Sequence, residues 1–143
     1  MESVRELAER TWSGADRAAI IDPFGRPGKI YEVTPGIALV SGFGLSIGIQ
    51  TGDGLAVVDT SGRNHGETVV AAMREWDQSP VRNVVYTHGH FDHVGGMGAY
   101  DADALQRGYP RPHVFAHENL PLRLERYAQT AGYNATVNAR PFL

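Results

Sequence analysis

Apolar residues at helical spacing predict three helices in this chain. The first covers residues 3–10, the second residues 64–76, and the third residues 119–132, where a glycine ends the pattern. In the second helix, Asn64 followed by Glu67 is typical of a capped N-terminus. The apolar positions of the three stripes are Val4, Leu7 and Ala8; Val69, Ala72, Met73 and Trp76; and Leu120, Leu124, Tyr127 and Ala131.

Short runs of β-branched and other apolar residues predict strands between these helices. The first four runs are separated by turns that contain glycine or proline, which favours an antiparallel meander. The fifth run follows the second helix, so the chain makes a strand, helix, strand crossover of the α/β class. The predicted strands are residues 30–33, 37–41, 45–50, 55–59, 81–86 and 114–116.

Three segments show no apolar period, and we expect them to be irregular: residues 14–29, 99–112 and 133–143. The first is interpreted as a tether or cover, with a loop that reaches a substrate cleft or a partner as the alternative. No linker divides the remainder of the chain. We therefore expect two parts, an N-terminal helix with an irregular arm over residues 1–29 and one α/β unit over residues 30–143.

Composition narrows the functional classes. The 143 residues suffice for one domain, which at this size buries about two-thirds of its unfolded surface. The formal net charge of -3 indicates no basic surface for nucleic acid. The chain has no cysteine, which excludes disulfides and thiolate metal ligands. No apolar run is long enough to span a bilayer and the first residues are charged, so we expect a cytoplasmic protein without membrane contact.

The sequence THGHFDHVGG at residues 87–96 carries the strongest chemical signal. Alternate positions of an extended segment project to one side, so His88 and His90 can converge on one cation. Asp92 and His93 fall where the chain turns before the glycines and would face a second cation beside the first. These nitrogen and oxygen ligands suit zinc, with iron or manganese as substitutes. The alternative is a metal-free, histidine-rich surface loop.

This His-x-His-x-Asp-His pattern, followed by Gly-Gly, resembles the signature of the metallo-β-lactamase-fold hydrolases. The resemblance implies an αββα sandwich with a dinuclear zinc centre, in which His88 and His90 hold the first metal and Asp92 and His93 the second. The stretch GLAVVDT is similar to the family's strand that ends in an aspartate beside the metal loop. The segments HVFAHENL and NARPFL are similar to its alkyl- and aryl-sulfatase-like branch.

The resemblance covers the N-terminal half of the family's sandwich, from about Ile37 onward. In the family each metal takes a further histidine and an acidic residue bridges the two metals, all from the C-terminal half. The matching residues here would supply two ligands per metal, whereas catalytic zinc usually holds three protein ligands. Half of a sandwich also leaves one sheet face uncovered. We therefore expect a partner, either a second copy in a homo-oligomer or a complementary C-terminal-half chain.

Asp59 and three further histidines are weaker candidates for the site. Asp59 ends an apolar strand. It is either an ordinary turn residue or, as the resemblance favours, a carboxylate that accepts hydrogen bonds from the metal loop and orients its histidines. His65 is interpreted as a solvated surface residue. His113 and His117 lie on one face of the last strand, but the family draws its remaining ligands from further along the chain, so they are not assigned to the metal.

The predicted metal ligands imply hydrolysis by a metal-bound hydroxide. Zinc lowers the pKa of bound water from about 15.7 to about 7, so a metal-bound hydroxide can act as the nucleophile at neutral pH. Asp92 is expected to bind metal and, as the catalytic residue, to orient this hydroxide, and no serine or cysteine nucleophile is required. We predict a metal-dependent hydrolase of a small ester-type substrate, such as a sulfate ester or lactone. The alternatives are an iron-dependent oxidoreductase on the same scaffold and a non-catalytic half-domain that acts as an assembly module.

Overall fold

A single seven-stranded sheet, with its strands in sequence order, organises the chain. The computed structural model describes residues 2–15 and 27–142. The strands are β1 (Glu2–Ser3), β2 (Ile30–Thr34), β3 (Ile37–Val40), β4 (Ser46–Thr51), β5 (Gly54–Val58), β6 (Val81–Val85) and β7 (His113–Phe115). The α-helices are α1 (Val4–Trp12), α2 (Gly66–Trp76), α3 (Phe91–Val94), α4 (Met97–Gln106) and α5 (Leu120–Phe142), and a short 3-10 helix covers Arg63–His65.

The predicted meander and crossover are confirmed. Strands β2 to β5 pair antiparallel, and β5 pairs parallel with β6 after the chain crosses through α2. Helix α1 is also confirmed, and Ser3 with Glu6 forms a capping box at its start. Residues 16–26 of the predicted irregular arm lie outside the described residues. Among the described helices, none is both long enough and apolar enough to cross a membrane.

The hydrophobic core lies between one face of the sheet and the helices α2 and α4. Val57 of the sheet and Val69 and Met73 of α2 are buried in it. Tyr100 of α4 is also buried, and its hydroxyl lies 3.1 Å from the Ser46 hydroxyl. Burial raises the pKa of Tyr100 to about 12, so this side chain stays protonated and serves packing.

The opposite face of the sheet carries what we call the apolar row. The strand register places Leu39, Ile47, Val58, Val85 and Phe115 side by side on neighbouring strands. Val85 is 39% exposed and Phe115 is 55% exposed, while the other three are half-buried. A contiguous row of exposed apolar residues is typical of a surface that a further layer or partner covers.

Helix α4 contradicts the prediction of an irregular segment after Gly98. Only Tyr100 and Ala104, one turn apart, are buried in it, so its apolar stripe is too short to stand out in the sequence. The helix is held to α2 by an ion pair instead. Both carboxylate oxygens of Asp103 accept hydrogen bonds from Arg74 Nε, at 3.0 and 3.1 Å. Periodicity along one segment cannot show a charged partner on another helix.

The start of α2 also differs from its prediction. Asn64 lies in the 3-10 helix, and α2 begins two residues later at Gly66. His65 occupies the cap position and makes no side-chain capping hydrogen bond. The cap predicted from Asn64 and Glu67 was therefore wrong, because the chain enters α2 through a tighter turn rather than through a capping side chain.

The end of α5 is a further correction. Two helical segments meet at a kink at Thr130, and the second continues to Phe142. The predicted end at Gly132 therefore lies two residues from the kink, whereas the prediction of an irregular tail was wrong. The helical geometry is interrupted only at Thr130. The hydroxyl of Thr130 donates to the Arg126 carbonyl at 2.8 Å, a local bond that bends a helix without ending it.

The buried pair of Asp103 and Arg74 predicts a pH-dependent contribution to stability. Burial opposes ionisation of Asp103, but hydrogen bonds from Arg74 and Arg107 outweigh burial and lower the pKa of this carboxylate. Its contribution is therefore complete above the unfolded-state pKa of about 3.9 and is lost as the pH falls below that value. We expect Asp103→Asn to reduce the free energy of unfolding at pH 7 by about 3 kcal/mol, because Arg74 loses its carboxylate. In urea unfolding, the difference from the parent should shrink between about pH 5 and pH 3.

Asp101→Asn is the matched control. Asp101 lies on the same helix and pairs with Arg111, whose side chain is 71% exposed. Exposed ion pairs contribute little to stability, so this variant should unfold like the parent. Equal losses in the two variants would contradict the prediction.

Candidate metal centre

The predicted ligands lie at one edge of the sheet, where the parallel strands β5 and β6 end. Asp59 follows β5, and the histidine loop, residues 87–96, follows β6. The two ends are joined because the Asp59 amide donates to the Val85 carbonyl at 2.9 Å. In α/β sheets ligands bind outside the carboxyl ends of parallel strands. The register of β5 with β6 therefore brings Asp59 beside the histidine loop.

The turn after β5 has a left-handed backbone and is bonded to the histidine loop. Asp59 has φ of 58° and Ser61 has φ of 64°, values that most residues avoid. The Thr60 amide and hydroxyl both donate to the His93 carbonyl, at 2.7 and 3.0 Å. The Ser61 hydroxyl donates to the Phe43 carbonyl at 2.8 Å. These bonds hold the turn in its unfavourable conformation.

The Asp59 carboxylate accepts three hydrogen bonds from the histidine loop. Thr87 donates its amide to Oδ1 at 2.8 Å and its hydroxyl to Oδ2 at 2.6 Å. His93 Nδ1 lies 2.7 Å from the same Oδ2. The ligand atoms of Asp59, His88 and His93, which we call the Asp-His cluster, lie within 4.8 Å of one another. Both oxygens of Asp59 are therefore bonded to the histidine loop, and its role in orienting metal ligands stays a prediction.

These bonds also determine which nitrogen of each imidazole carries the proton. The single proton of the Thr87 hydroxyl goes to Asp59, so this hydroxyl accepts from His88 Nδ1–H, 2.9 Å away. His93 Nδ1–H donates to Asp59 directly. In both rings Nε2 is then left without a proton, which is the form of an imidazole nitrogen that can bind a metal. In this structure His88 Nε2 accepts a hydrogen bond from His90 Nδ1–H, 3.0 Å away. Sequence reasoning assigned no role to Thr87, because its two partners become visible only in the fold.

The four predicted ligands form two pairs. His88 Nε2 lies 3.0 Å from His90 Nδ1, and His93 Nε2 lies 3.4 Å from Asp92 Oδ2. Two ligand atoms at about 2.1 Å from a tetrahedral zinc ion are roughly 3.4 Å apart, so each pair is spaced to share one ion. The donor set therefore fits a transition metal such as zinc. His90 and Asp92 lie outside the Asp-His cluster, and both ligation and the division of the four residues between two ions stay predictions.

The first turns of α5 cover the histidine loop. A Cβ on Gly89 would lie 2.7 Å from Leu120 Cδ1 and 3.0 Å from Arg123 Cγ, so a larger residue would have to displace these two side chains. The Tyr127 ring packs on Phe91, with 4.6 Å between ring centroids. Sequence analysis identified the apolar stripe of α5 but not the surface on which it packs.

The remaining histidines have other roles. His65 is half-buried, and its Nδ1 accepts a hydrogen bond from the Phe43 amide at 2.8 Å, so its prediction as a solvated surface residue was wrong. His113 is exposed on β7. His117 Nδ1 accepts from the Asn119 amide at 3.1 Å. Neither His113 nor His117 belongs to the Asp-His cluster.

Comparison with known proteins decides the family. The family model of the metallo-beta-lactamase superfamily matches residues 39–124, which include the whole site described above. The chain belongs to this superfamily. The resemblance stated from the histidine motif is therefore confirmed, and the Asp-His cluster is of the kind with which this superfamily binds metal.

Relatives of this superfamily chain include sulfatases. A linear primary-alkylsulfatase from Pseudomonas sp. (strain ATCC 19151) is 32% identical over 74 residues, which are 50% of this chain and 14% of the relative. The solved stereoselective inverting sec-alkylsulfatase Pisa1 from Pseudomonas sp. is 30% identical, with a TM-score of 0.50, over 64% of this chain and 15% of Pisa1. The chain thus spans about one-seventh of the length of each.

A solved metallo-beta-lactamase from Hirschia baltica is similar over more of its own length. It is 25% identical, with a TM-score of 0.55, over 71% of this chain and 48% of the lactamase. The match to about half of that chain confirms the predicted fold class, an α/β architecture that corresponds to part of the metallo-β-lactamase sandwich.

Proposed function

We propose that this chain provides the metal-binding half of a hydrolase for ester-type substrates, with sulfate esters favoured. The observation that carries the proposal is the Asp59 carboxylate, which orients His88 through Thr87 and His93 directly. A surface loop without a metal needs no such arrangement. The alkylsulfatases at 30% and 32% identity support the sulfate-ester class.

His88 and His90 would hold one metal ion, and Asp92 and His93 a second, with zinc favoured over iron or manganese by the donor set. When bound, zinc would lower the pKa of a coordinated water and polarise the ester to be cleaved. Asp92 is half-buried and borders a groove. We assign its carboxylate the catalytic role of holding the attacking water through a hydrogen bond and accepting its proton.

Among the described residues 2–15 and 27–142, the hydroxyls beside the site are not placed to act as covalent nucleophiles. The hydroxyls nearest to the histidine loop are all engaged as donors: Thr60 to the His93 carbonyl, Ser61 to the Phe43 carbonyl and Thr87 to Asp59. Each would have to break its hydrogen bond to reach a substrate. We therefore propose that water attacks the substrate directly, without a covalent enzyme intermediate.

The complete site would need a partner, which we propose to be a complementary C-terminal half or, as the alternative, a second copy of this chain. Two protein groups per metal fall short of the three that catalytic zinc usually has. The apolar row, with Phe115 55% exposed and Val85 39% exposed, supplies a surface for a second layer. One partner could thus cover the row and complete the ligands.

The test measures sulfate release from a primary alkyl sulfate in the presence of zinc. We expect very low activity and self-association by light scattering for the chain alone. Activity should rise by orders of magnitude after addition of a C-terminal half with the missing ligands. Asp92→Asn is the control for catalysis by free or adventitious metal.

Two outcomes would contradict this proposal. A monodisperse and fully active monomer would show that the chain completes its own site. Stoichiometric metal without hydrolysis of sulfate or carboxylic esters in either preparation would favour the non-catalytic assembly module. Redox turnover with bound iron would instead favour the oxidoreductase.

A further inference from the structure

A groove of about 390 Å³ borders the candidate metal centre at Asp92. Two aromatic rings lie in its wall, Phe43 at 38% exposure and Phe91 at 53% exposure. Large exposed rings in the lining of one groove are typical of a surface that binds an apolar group. The full lining is Phe43, Gly62, Arg63, Asn64, His65, Phe91 and Asp92.

Arg63 supplies a positive charge to this groove. Its side chain is exposed, and no ion pair or side-chain hydrogen bond of Arg63 occurs within residues 2–15 and 27–142. Arg74 and Arg107 differ from Arg63, since both bond to Asp103. A guanidinium without a carboxylate partner is available for an anionic group of a ligand.

His65 adds a second donor to the same wall. Its Nδ1 accepts from the Phe43 amide, so the neutral ring carries its proton on Nε2. The Asn64 amide group borders the groove beside it. The lining of the groove therefore includes several donors, and an anion with several oxygens can accept from more than one of them.

The groove is already formed without a ligand, because its walls are bonded to the histidine loop. The Gly62 amide donates to the Phe43 carbonyl at 2.8 Å. A Cβ on Gly44 would lie 1.7 Å from the Asp92 carbonyl oxygen, so the segment that carries Phe43 is in direct contact with the loop. A Cβ on Gly95 would lie 2.8 Å from the Arg63 amide nitrogen, so the backbone of Arg63 is also in direct contact with the histidine loop. A preformed groove loses little free energy to ordering when it binds.

We propose that Arg63 is the residue that selects anionic substrates, and that the groove binds an amphiphilic organic anion. The guanidinium contacts the anionic head, and Phe43 and Phe91 contact the apolar chain. The head then lies at the Asp92 end of the groove, where hydrolysis would occur. That the bound anion is also hydrolysed rests on the proposed function. Binding of the anion does not, because the groove alone would provide it.

The experiment measures binding to protein treated with a chelator, so that activity and metal do not enter. The probes are octane-1-sulfonate, whose carbon-sulfur bond resists hydrolysis, and octan-1-ol of the same chain length, both below micelle concentration. We expect Arg63→Gln to weaken the sulfonate about tenfold, the effect of one lost charge-assisted contact, and to leave the alcohol unchanged. The affinity of Arg63→Lys for the sulfonate should lie between those of the parent and Arg63→Gln, because lysine keeps the positive charge but lacks the planar guanidinium group.

Two further variants separate the parts of the proposal. Arg126→Gln removes another exposed arginine, on α5, and should bind both probes like the parent. Phe91→Ala should weaken the sulfonate and the alcohol by the same factor. Amide shifts in NMR spectra should map both probes to the 62–65 and 91–92 segments, and circular dichroism should show that each variant is folded.

The proposal is overturned if Arg63→Gln binds the sulfonate as the parent does, or if the shifts map elsewhere. Failure of the proposed function is distinguishable from this result. In that case the sulfonate would bind with the expected Arg63 dependence, yet zinc-loaded protein with its complementary half would release no sulfate from octyl sulfate.

Discussion

Replacing His88 and His90 together by alanine should reduce bound zinc or iron from near stoichiometric to a background level. The two rings meet with 3.0 Å between His88 Nε2 and His90 Nδ1, a spacing that suits two ligands of one ion. Removal of both leaves that position without a nitrogen ligand. Elemental analysis of protein purified without chelators measures the effect.

His113→Ala/His117→Ala is the matched control for this double variant. It also removes two imidazoles, but both lie outside the Asp-His cluster. Metal content should stay at the parental level. Equal metal content in the His88/His90 variant and the parent would refute the assignment of these residues as ligands.

Asp59→Asn should weaken zinc binding by about 10 to 100-fold, the usual effect of removing a carboxylate that orients histidine ligands. The loop offers three donors to Asp59: the Thr87 amide, the Thr87 hydroxyl and His93 Nδ1. An amide side chain has only one oxygen to accept them, and its NH2 group would face a donor. Competition with a chromogenic chelator measures the zinc dissociation constant.

The asparagine variant changes only the side-chain group and adds no backbone strain, because asparagine also tolerates the left-handed φ of 58° at this position. Thr87→Val distinguishes the effects on His88 and His93. It removes the hydroxyl between Asp59 and His88 but leaves the bond from His93 to Asp59. We expect a smaller loss for Thr87→Val than for Asp59→Asn, and recovery in Thr87→Ser. Undiminished zinc affinity in Asp59→Asn would mean that Asp59 is only a turn residue.

The fold was predictable where short-range patterns suffice. Strands β2 to β5 follow one another through tight turns, so alternation and turn residues were enough to predict the meander. Helix α4 was missed because Tyr100 and Ala104 are its only buried residues and its charge partner, Arg74, lies on α2. The second helical segment of α5, beyond the kink at Thr130, was missed because residues 133–142 show no apolar period.

The candidate site was also predictable only in part. The sequence alone determined that His88, His90, Asp92 and His93 follow a strand and that alternate positions can face one ion, because spacing along a single segment controls both. Only the tertiary structure decided which residues hold these four side chains in position. Asp59 is 28 residues from Thr87 along the chain, and their contact depends on the parallel register of β5 with β6, which no local pattern encodes.

The groove beside the site could not be predicted from the sequence. Phe43, Arg63 and Phe91 lie on three separate segments and meet only because turns after β3 and β5 pack against the histidine loop. Each is unremarkable in its own stretch of sequence. Residue spacing along a strand or turn determined the candidate ligands of this protein, and long-range backbone pairing determined the orientation of these side chains and the surface beside them.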